Sequence, residues 1–319
     1  MANFAIIGAS GYIAPRHMKA IEETNNNLIA AFDPYDGIGV IDNYFPKCNF
    51  FTEFERFDRF IDKILREEKI KLDYLVVLSP NYLHDAHIRY GLRYGCNVIC
   101  EKPIVLNPHN LIKLIQIRNE TKYNVYSILQ LRLHKSIINL REKVSEELSK
   151  NPKKIYNVDL TYITSRGKWY FISWKGDESK SGGISTNIGV HFFDMLTMIF
   201  GNFEENILHV KTSDTNAGYL KLKNARVRWF LSVNQDHLPN HTNNKKRTYR
   251  ALEIDKNQLE FSEGFENLHT ESYLNILKGN GFNLEENTNA ISIISDIRNT
   301  NPTESDKKTY HPFVKNNKL

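Results

Sequence analysis

No stretch of apolar residues in this sequence approaches the ~18 that a membrane-spanning helix requires, so no membrane partner is expected. The opening residues, Met1-Ala2-Asn3-Phe4-Ala5-Ile6-Ile7, lack the basic region and long apolar core of an export leader, and a cytoplasmic location is expected. Cysteine is scarce. Cys48, Cys96 and Cys100 are an odd number without zinc-site spacing, so the expectation is free thiols in a reducing compartment and no metal centre. A large excess of one charge is missing too: 42 Lys and Arg stand against 37 Asp and Glu, and the net +5 is spread along the chain. Its dense cluster, Lys245-Lys246-Arg247 near Arg250, reads as a solvated loop, so no nucleic acid partner is expected. The mild positive balance does suit an anionic small molecule. Internal repeats are absent.

What is present is the composition of a globular protein, 41% hydrophobic and 25% charged, with 319 residues, enough for two domains. The apolar run at 4–7 reads as a buried strand that enters Gly8-Ala9-Ser10-Gly11-Tyr12-Ile13-Ala14 ahead of a helical pattern. Glycines at such a turn let the backbone approach a pyrophosphate, whose charge the helix N-terminus meets. The spacing is one residue longer in its first gap than the usual dinucleotide fingerprint. A second strand, 28–32, ends at Asp33, a carboxylate placed to accept hydrogen bonds from adenosine ribose hydroxyls and to repel a 2′-phosphate, which favours NAD over NADP. The plainer reading of Asp33 is a turn residue before Pro34.

Phenylalanines at 54, 57 and 60 fall on one face of a helix over 54–68 and read as core. The strand at 72–78 leads into Ser79-Pro80-Asn81-Tyr82-Leu83-His84, a polar loop expected over the nicotinamide half of the cofactor, or else a simple cap for the helix at 85–93. The short strand 97–100 then runs into Glu101-Lys102-Pro103. A lysine there has no packing purpose, and in a parallel α/β sheet ligands collect beyond the carboxyl ends of the strands. Lysine also shifts its pKa readily on burial, which suits it to proton transfer. A helix over 108–122 and a further strand over 125–131 complete a doubly wound parallel sheet, giving a Rossmann domain over 1–131.

The remainder, 132–319, reads as a substrate-binding domain of the α+β class. A helix over 136–150 is expected to pack on the first domain, followed by a strand at 155–165. Arg166, Lys168, Trp169, Tyr170, Trp174 and Lys175 then concentrate cations and aromatics in one loop. Cations there pair with a diphosphate or carboxylate, and aromatic faces cover sugar or base; the plainer alternative is interface packing with solvated charges. His191 lies in a helix over 187–200. Short alternating runs at 207–211, 219–222, 227–234, 249–254 and 258–261 give a largely antiparallel open sheet, with an Asn-rich hairpin loop over 235–248. Helices follow at 268–277 and 288–298, and the polar tail from Asn299 is expected to return to the first domain.

With these pieces in order, the sequence resembles the glucose-fructose oxidoreductase, inositol dehydrogenase and rhizopine catabolism (Gfo/Idh/MocA) family of NAD(P)-dependent oxidoreductases. The elements that carry the resemblance are Ile13-Ala14 with His17, the loop from Ser79 to His84, Glu101-Lys102-Pro103, and Gly182-Gly183 followed by Asn187, His191 and Asp194. Gly11-Tyr12-Ile13-Ala14-Pro15-Arg16-His17 and Thr186-Asn187-Ile188-Gly189-Val190-His191 resemble more narrowly the bacterial dehydrogenases of UDP-2-acetamido-2-deoxyglucuronate. The resemblance implies NAD as cofactor, a UDP-linked acidic sugar as substrate, 2-oxoglutarate as a candidate reoxidant and a homo-oligomer, dimer or tetramer. Asn187 departs from the family, most of whose members carry aspartate there; it holds a hydroxyl by hydrogen bonding and takes no proton.

The expected cofactor contacts are Gly8, Ser10, Gly11, Tyr12, Ile13, Asp33, Pro80, Asn81, His84, Glu101, Lys102 and Gln130. The expected substrate contacts are Lys102, Arg166, Trp169, Tyr170, Trp174, Lys175, Asn187 and His191, with Lys102 and His191 catalytic. The alternatives are another sugar or cyclitol dehydrogenase of the family, and a non-catalytic NAD-binding sensor.

Overall fold

The structure, a computed structural model, describes residues 1–37, 39–239, 247–261, 264–304 and 306–317. Half of the expected hairpin loop, residues 240–246 with Lys245 and Lys246, lies outside them. The chain divides into two units, Met1–Gln130 with Glu266–Thr288, and Leu131–Phe265 with Asn289–Leu319.

The first unit alternates β1 (Asn3–Ile7), α1 (Ala14–Glu23), β2 (Asn27–Phe32), β3 (Asn49–Phe51), α2 (Phe54–Arg66), β4 (Tyr74–Val77), α3 (His84–Arg93), β5 (Asn97–Cys100), α4 (Pro108–Asn119) and β6 (Val125–Ser127). All neighbouring strands are parallel, in the order β3-β2-β1-β4-β5-β6. Ile6, Val76 and Ile99 are fully buried, as strands covered on both faces by helices require. The pairing aligns the strand ends: Ile7 lies beside Phe32 and Val77, and Val77 beside Cys100. Gly8, Asp33, Leu78 and Glu101 therefore leave the sheet along one edge. The order reverses between β1 and β4, the switch point where such sheets bind ligands.

Of the helix phenylalanines, Phe57 is core and Phe54 and Phe60 are half-buried: Phe54 and Phe57 close on Phe32, and Phe57 and Phe60 on Phe51. Full burial of the Phe57 ring contributes about 1.5–3 kcal/mol. Cys96 and Cys100 are buried free thiols and Cys48 is a half-buried one.

The second unit holds α5 (Lys135–Lys150), β7 (Tyr156–Thr164), the single turns α6 (Trp169–Ile172) and α7 (Glu178–Ser181), and α8 (Val190–Phe200). After them come β8 (Phe203–Lys211), β9 (Thr215–Leu222), β10 (Ala225–Ser232), β11 (Thr248–Ile254) and β12 (Asn257–Glu260), in a sheet of order β12-β11-β7-β10-β9-β8. Its pairs are antiparallel except β7 with β10, which run parallel. α8 is buried nearly all round and packs Phe193 edge-on to Trp229 at 5.5 Å. α5, expected to pack on the first domain, belongs to the second unit and lies against α8.

α9 (Leu268–Leu277) then returns to the first unit, where Tyr273 is fully buried and stacks on Phe4. That corrects the expectation for the tail. α10 (Thr288–Asn299), save its first residue, and α11 (Pro312–Asn317) belong to the second unit, where Val314 joins Ile163, Ala217 and Phe230 in one apolar cluster. The tail carries Tyr310, Phe313 and Val314 among its polar residues, and those three pack on this sheet. Among the described residues, no helix is long and apolar enough to cross a membrane.

Candidate active site

In the first unit the glycine turn is built to hold backbone close to backbone. Gly8 sits at φ +96°, and a Cβ there would lie 2.6 Å from the Leu78 carbonyl carbon, so only glycine fits. Its N–H donates to Phe32 O at 2.8 Å, which ties the turn to the end of β2. α1 follows with no side chain capping its N-terminus and no acidic residue in its first turn. The partial positive charge of that helix end is left for an anionic ligand, and a dinucleotide diphosphate fits it.

Asp33 is buried. Its Oδ2 accepts the Ser10 N–H and its Oδ1 the Tyr35 N–H, both at 3.0 Å. The second of these is the turn that the plainer reading foresaw. Each oxygen keeps a lone pair, so the carboxylate still fits a ribose hydroxyl. Tyr12 is 87% exposed and Ile13 occupies the helix start. The Gln130 side-chain oxygen is buried without a hydrogen-bond partner among the described residues, as a group awaiting a cofactor donor would be.

The loop after β4 differs from its sequence reading. Pro80 opens a turn in which Asn81 is buried, and His84 is 1% exposed. The His84 ring nitrogens lie 2.7 Å from Pro103 O and 2.8 Å from Ser79 O. His84 is thus a tie beneath the loop, with both ring nitrogens turned to backbone. The Lys102-Pro103 bond is cis.

Glu101, expected as a cofactor contact, turns its carboxylate into a buried cluster. Oε1 accepts from His17 Nε2 at 3.1 Å and from His269 Nε2 at 3.3 Å, and Oε2 accepts the Lys102 N–H at 3.2 Å. Burial works against the charge, but hydrogen bonds from the two histidines hold the carboxyl well below the usual carboxylate range. Burial lowers the His17 pKa, so that ring is neutral. Its Nδ1 accepts the Tyr273 hydroxyl at 2.8 Å. His269 and Tyr273 were missed in the sequence. Their signal is a spacing of four residues on a helix that otherwise reads as ordinary late core.

In the second unit, Arg166 and Lys168 are exposed, and Trp169, 54% exposed, heads α6. Lys175 Nζ lies 4.3 Å from the Trp174 ring centre and 5.7 Å from that of Trp169, within cation–π range. Tyr170, expected as a substrate contact, is 1% exposed. Only its hydroxyl has a polar task, accepting from Asn187 Nδ2 at 2.9 Å. Gly182 and Gly183, both at φ near +80°, turn the chain into a π-helical segment, Ser185–Gly189, of the kind that often marks function. Asn187 lies in this segment, and His191 one turn later in α8. Further along α8, the Asp194 carboxylate takes both Nε and Nη2 of Arg132, at 2.9 and 2.7 Å, in a nearly buried fork.

Known proteins share this fold. Residues 2–128 match the oxidoreductase family, NAD-binding Rossmann fold, and residues 153–245 match the C-terminal alpha/beta domain of the same family. The WlbA (WbpB) dehydrogenase from Thermus thermophilus is 44% identical with a TM-score of 0.93, over 98% of this chain and 100% of that one. It has been crystallised with NAD and alpha-ketoglutarate, and with NAD and UDP-GlcNAcA. The 16% identical myo-inositol 2-dehydrogenase from Lactobacillus plantarum, TM-score 0.73 over 93% of this chain and 96% of that one, shares the fold. The 2,7-anhydro-N-acetylneuraminate hydratase of Mediterraneibacter gnavus is 23% identical over 208 residues, 64% of this chain and 50% of that protein. The chain spans about half the length, or less, of the curated relatives it matches.

Proposed function

The chain belongs to the Gfo/Idh/MocA oxidoreductase family, and on that premise we propose that it oxidises the C3 hydroxyl of UDP-2-acetamido-2-deoxyglucuronate, with NAD as cofactor. The observation that carries the reading is the 44% identity, over essentially both whole chains, to a dehydrogenase crystallised with NAD and UDP-GlcNAcA. The product is the 3-keto sugar nucleotide, a precursor for diacetamido-uronic acid sugars of surface polysaccharide such as O-antigen. The enzyme works in the cytoplasm as a homo-oligomer.

NAD, when bound, supplies the hydride acceptor. The chain's own residues do the rest. The uncapped end of α1 and the turn from Gly8 to Gly11 receive the diphosphate, and Asp33 accepts the adenosine ribose hydroxyls and repels a 2′-phosphate. Lys102 and His191 are assigned to the proton and the oxygen of the C3 hydroxyl, work that is typically worth ~10²–10⁴-fold in rate. Asn187 orients a sugar hydroxyl and cannot act as a base. Arg166, Lys168 and Lys175 meet the uronate and diphosphate charges, and Trp169 and Trp174 cover apolar faces. A neutral cyclitol would leave those cations without a purpose. The likeness to an enzyme crystallised with alpha-ketoglutarate supports 2-oxoglutarate as the oxidant that regenerates NAD.

Lys102→Ala and His191→Ala should each lose turnover while still binding NAD by titration calorimetry. Full turnover in either variant contradicts the assignment.

A further inference from the structure

Buried imidazoles hold Glu101-Lys102-Pro103 from both ends. On one side the Glu101 carboxylate is gripped by His17 from α1 and His269 from α9, and on the other the Pro103 carbonyl oxygen is met by His84 at the start of α3. Lys102 lies between them, with its own N–H on Glu101 Oε2. Burying an ionised carboxylate costs stability, and an apolar side chain would fill the same space. What the carboxylate gains here is a fixed backbone: Oε1 is anchored by two N–H groups from different helices, which leaves Oε2 aimed at the lysine N–H. The Tyr273 hydroxyl on His17 Nδ1 sets the tautomer in which Nε2 is the donor.

We propose that His269 and His17, acting through Glu101, are positioning residues that hold Lys102 for its work on the substrate hydroxyl. This rests on the role given above to Lys102. The three ligand-type atoms of His17, Glu101 and His269 also lie within 4.8 Å of one another, a spacing that a metal ion would equally satisfy. Protons already satisfy the cluster, with His17 complete on both nitrogens, so the hydrogen-bonded form is the one argued.

The test compares His269→Gln, whose amide N–H reaches toward the position of Nε2–H, with the similar-sized His269→Leu, which has no donor. Each is measured for kcat, sugar KM, Kd for NAD, unfolding temperature and bound metal. The expected result is a kcat about 10- to 100-fold lower in the leucine variant. The glutamine variant should stay near wild type, with Kd for NAD unchanged in both. A merely structural role would lower stability in both variants without separating them in kcat. Equal wild-type kcat in both, while Lys102→Ala is inactive, overturns the positioning role and leaves the reading of Lys102 standing. Full turnover by Lys102→Ala overturns both, and stoichiometric metal in the wild-type protein replaces the hydrogen-bonded account. Should His269→Leu fail to fold, Glu101→Gln asks the same question, because its amide faces the Lys102 N–H donor to donor. A comparable kcat loss with NAD still bound supports the proposal, and wild-type kcat sinks it.

Discussion

The Asn187 amide donates to the Tyr170 hydroxyl at 2.9 Å, from a π-helical turn to a phenol that is otherwise fully buried. The bond pins the amide one helical turn before His191. Tyr170 therefore holds the Asn187 amide, where the sequence suggested a ring against the substrate.

Tyr170→Phe removes the acceptor and little else. A hydrogen bond of this kind is worth about 0.5–1.5 kcal/mol, so kcat/KM for the sugar should fall by roughly 2- to 12-fold. Steady-state kinetics read this directly, with Kd for NAD as the internal control. An unchanged kcat/KM would mean that the bond does not set the amide.

Asp33 carries two backbone hydrogen bonds, from Ser10 and Tyr35, and those bonds hold its carboxylate at the end of β2. Hydrogen bonds to charged groups are worth about 1.5–3 kcal/mol, so Asp33→Ala should weaken NAD roughly 10- to 100-fold. NADP, no longer repelled, should lose less, and the ratio of the two Kd values should move toward unity. Calorimetric titration with both nucleotides decides the matter; an unchanged ratio would remove Asp33 from cofactor choice.

Much of this was legible in the sequence because its causes are local. Buried strands such as Asn97–Cys100 and the glycine turn announce themselves in a few consecutive residues. The third strand, Asn49–Phe51, is too short to carry a period. The parallel pairing of β7 with β10 is invisible to alternation, which fixes faces and not neighbours. His84 reads in the sequence as part of a polar loop over the cofactor, and the two backbone oxygens that bury it belong to the folded chain alone. The grip on Glu101 was out of reach for the same reason, since its partners lie 84 and 168 positions away.

The tail carries a titration that should show in acid. His311 Nδ1 accepts the Phe313 N–H and its Nε2 donates to Thr161 Oγ1, so the folded ring is neutral. Burial, helped by Arg228, pushes its pKa down to about 3. The unfolded ring titrates near ~6.5, so below that pH the unfolded chain takes a proton that the folded chain refuses. Its contribution is fully present above ~6.5 and is lost as pH falls toward the folded pKa, at up to ~1.4 kcal/mol per pH unit. Urea unfolding of His311→Asn across this range should show a slope shallower by about one proton. His87 and His209, each pushed down to about 4 by burial, maintain a residual slope. Equal slopes in variant and wild type would place the acid sensitivity elsewhere.

The most direct test of the account is NADH absorbance after mixing the purified protein with NAD and UDP-2-acetamido-2-deoxyglucuronate, with and without 2-oxoglutarate, beside UDP-N-acetylglucosamine as the uncharged control. The account predicts NAD reduction with the uronate, little with the control, and sustained turnover when the keto acid is present. Equal rates with both sugars would contradict the role of Arg166, Lys168 and Lys175, and no reduction under any condition would contradict the proposed activity itself.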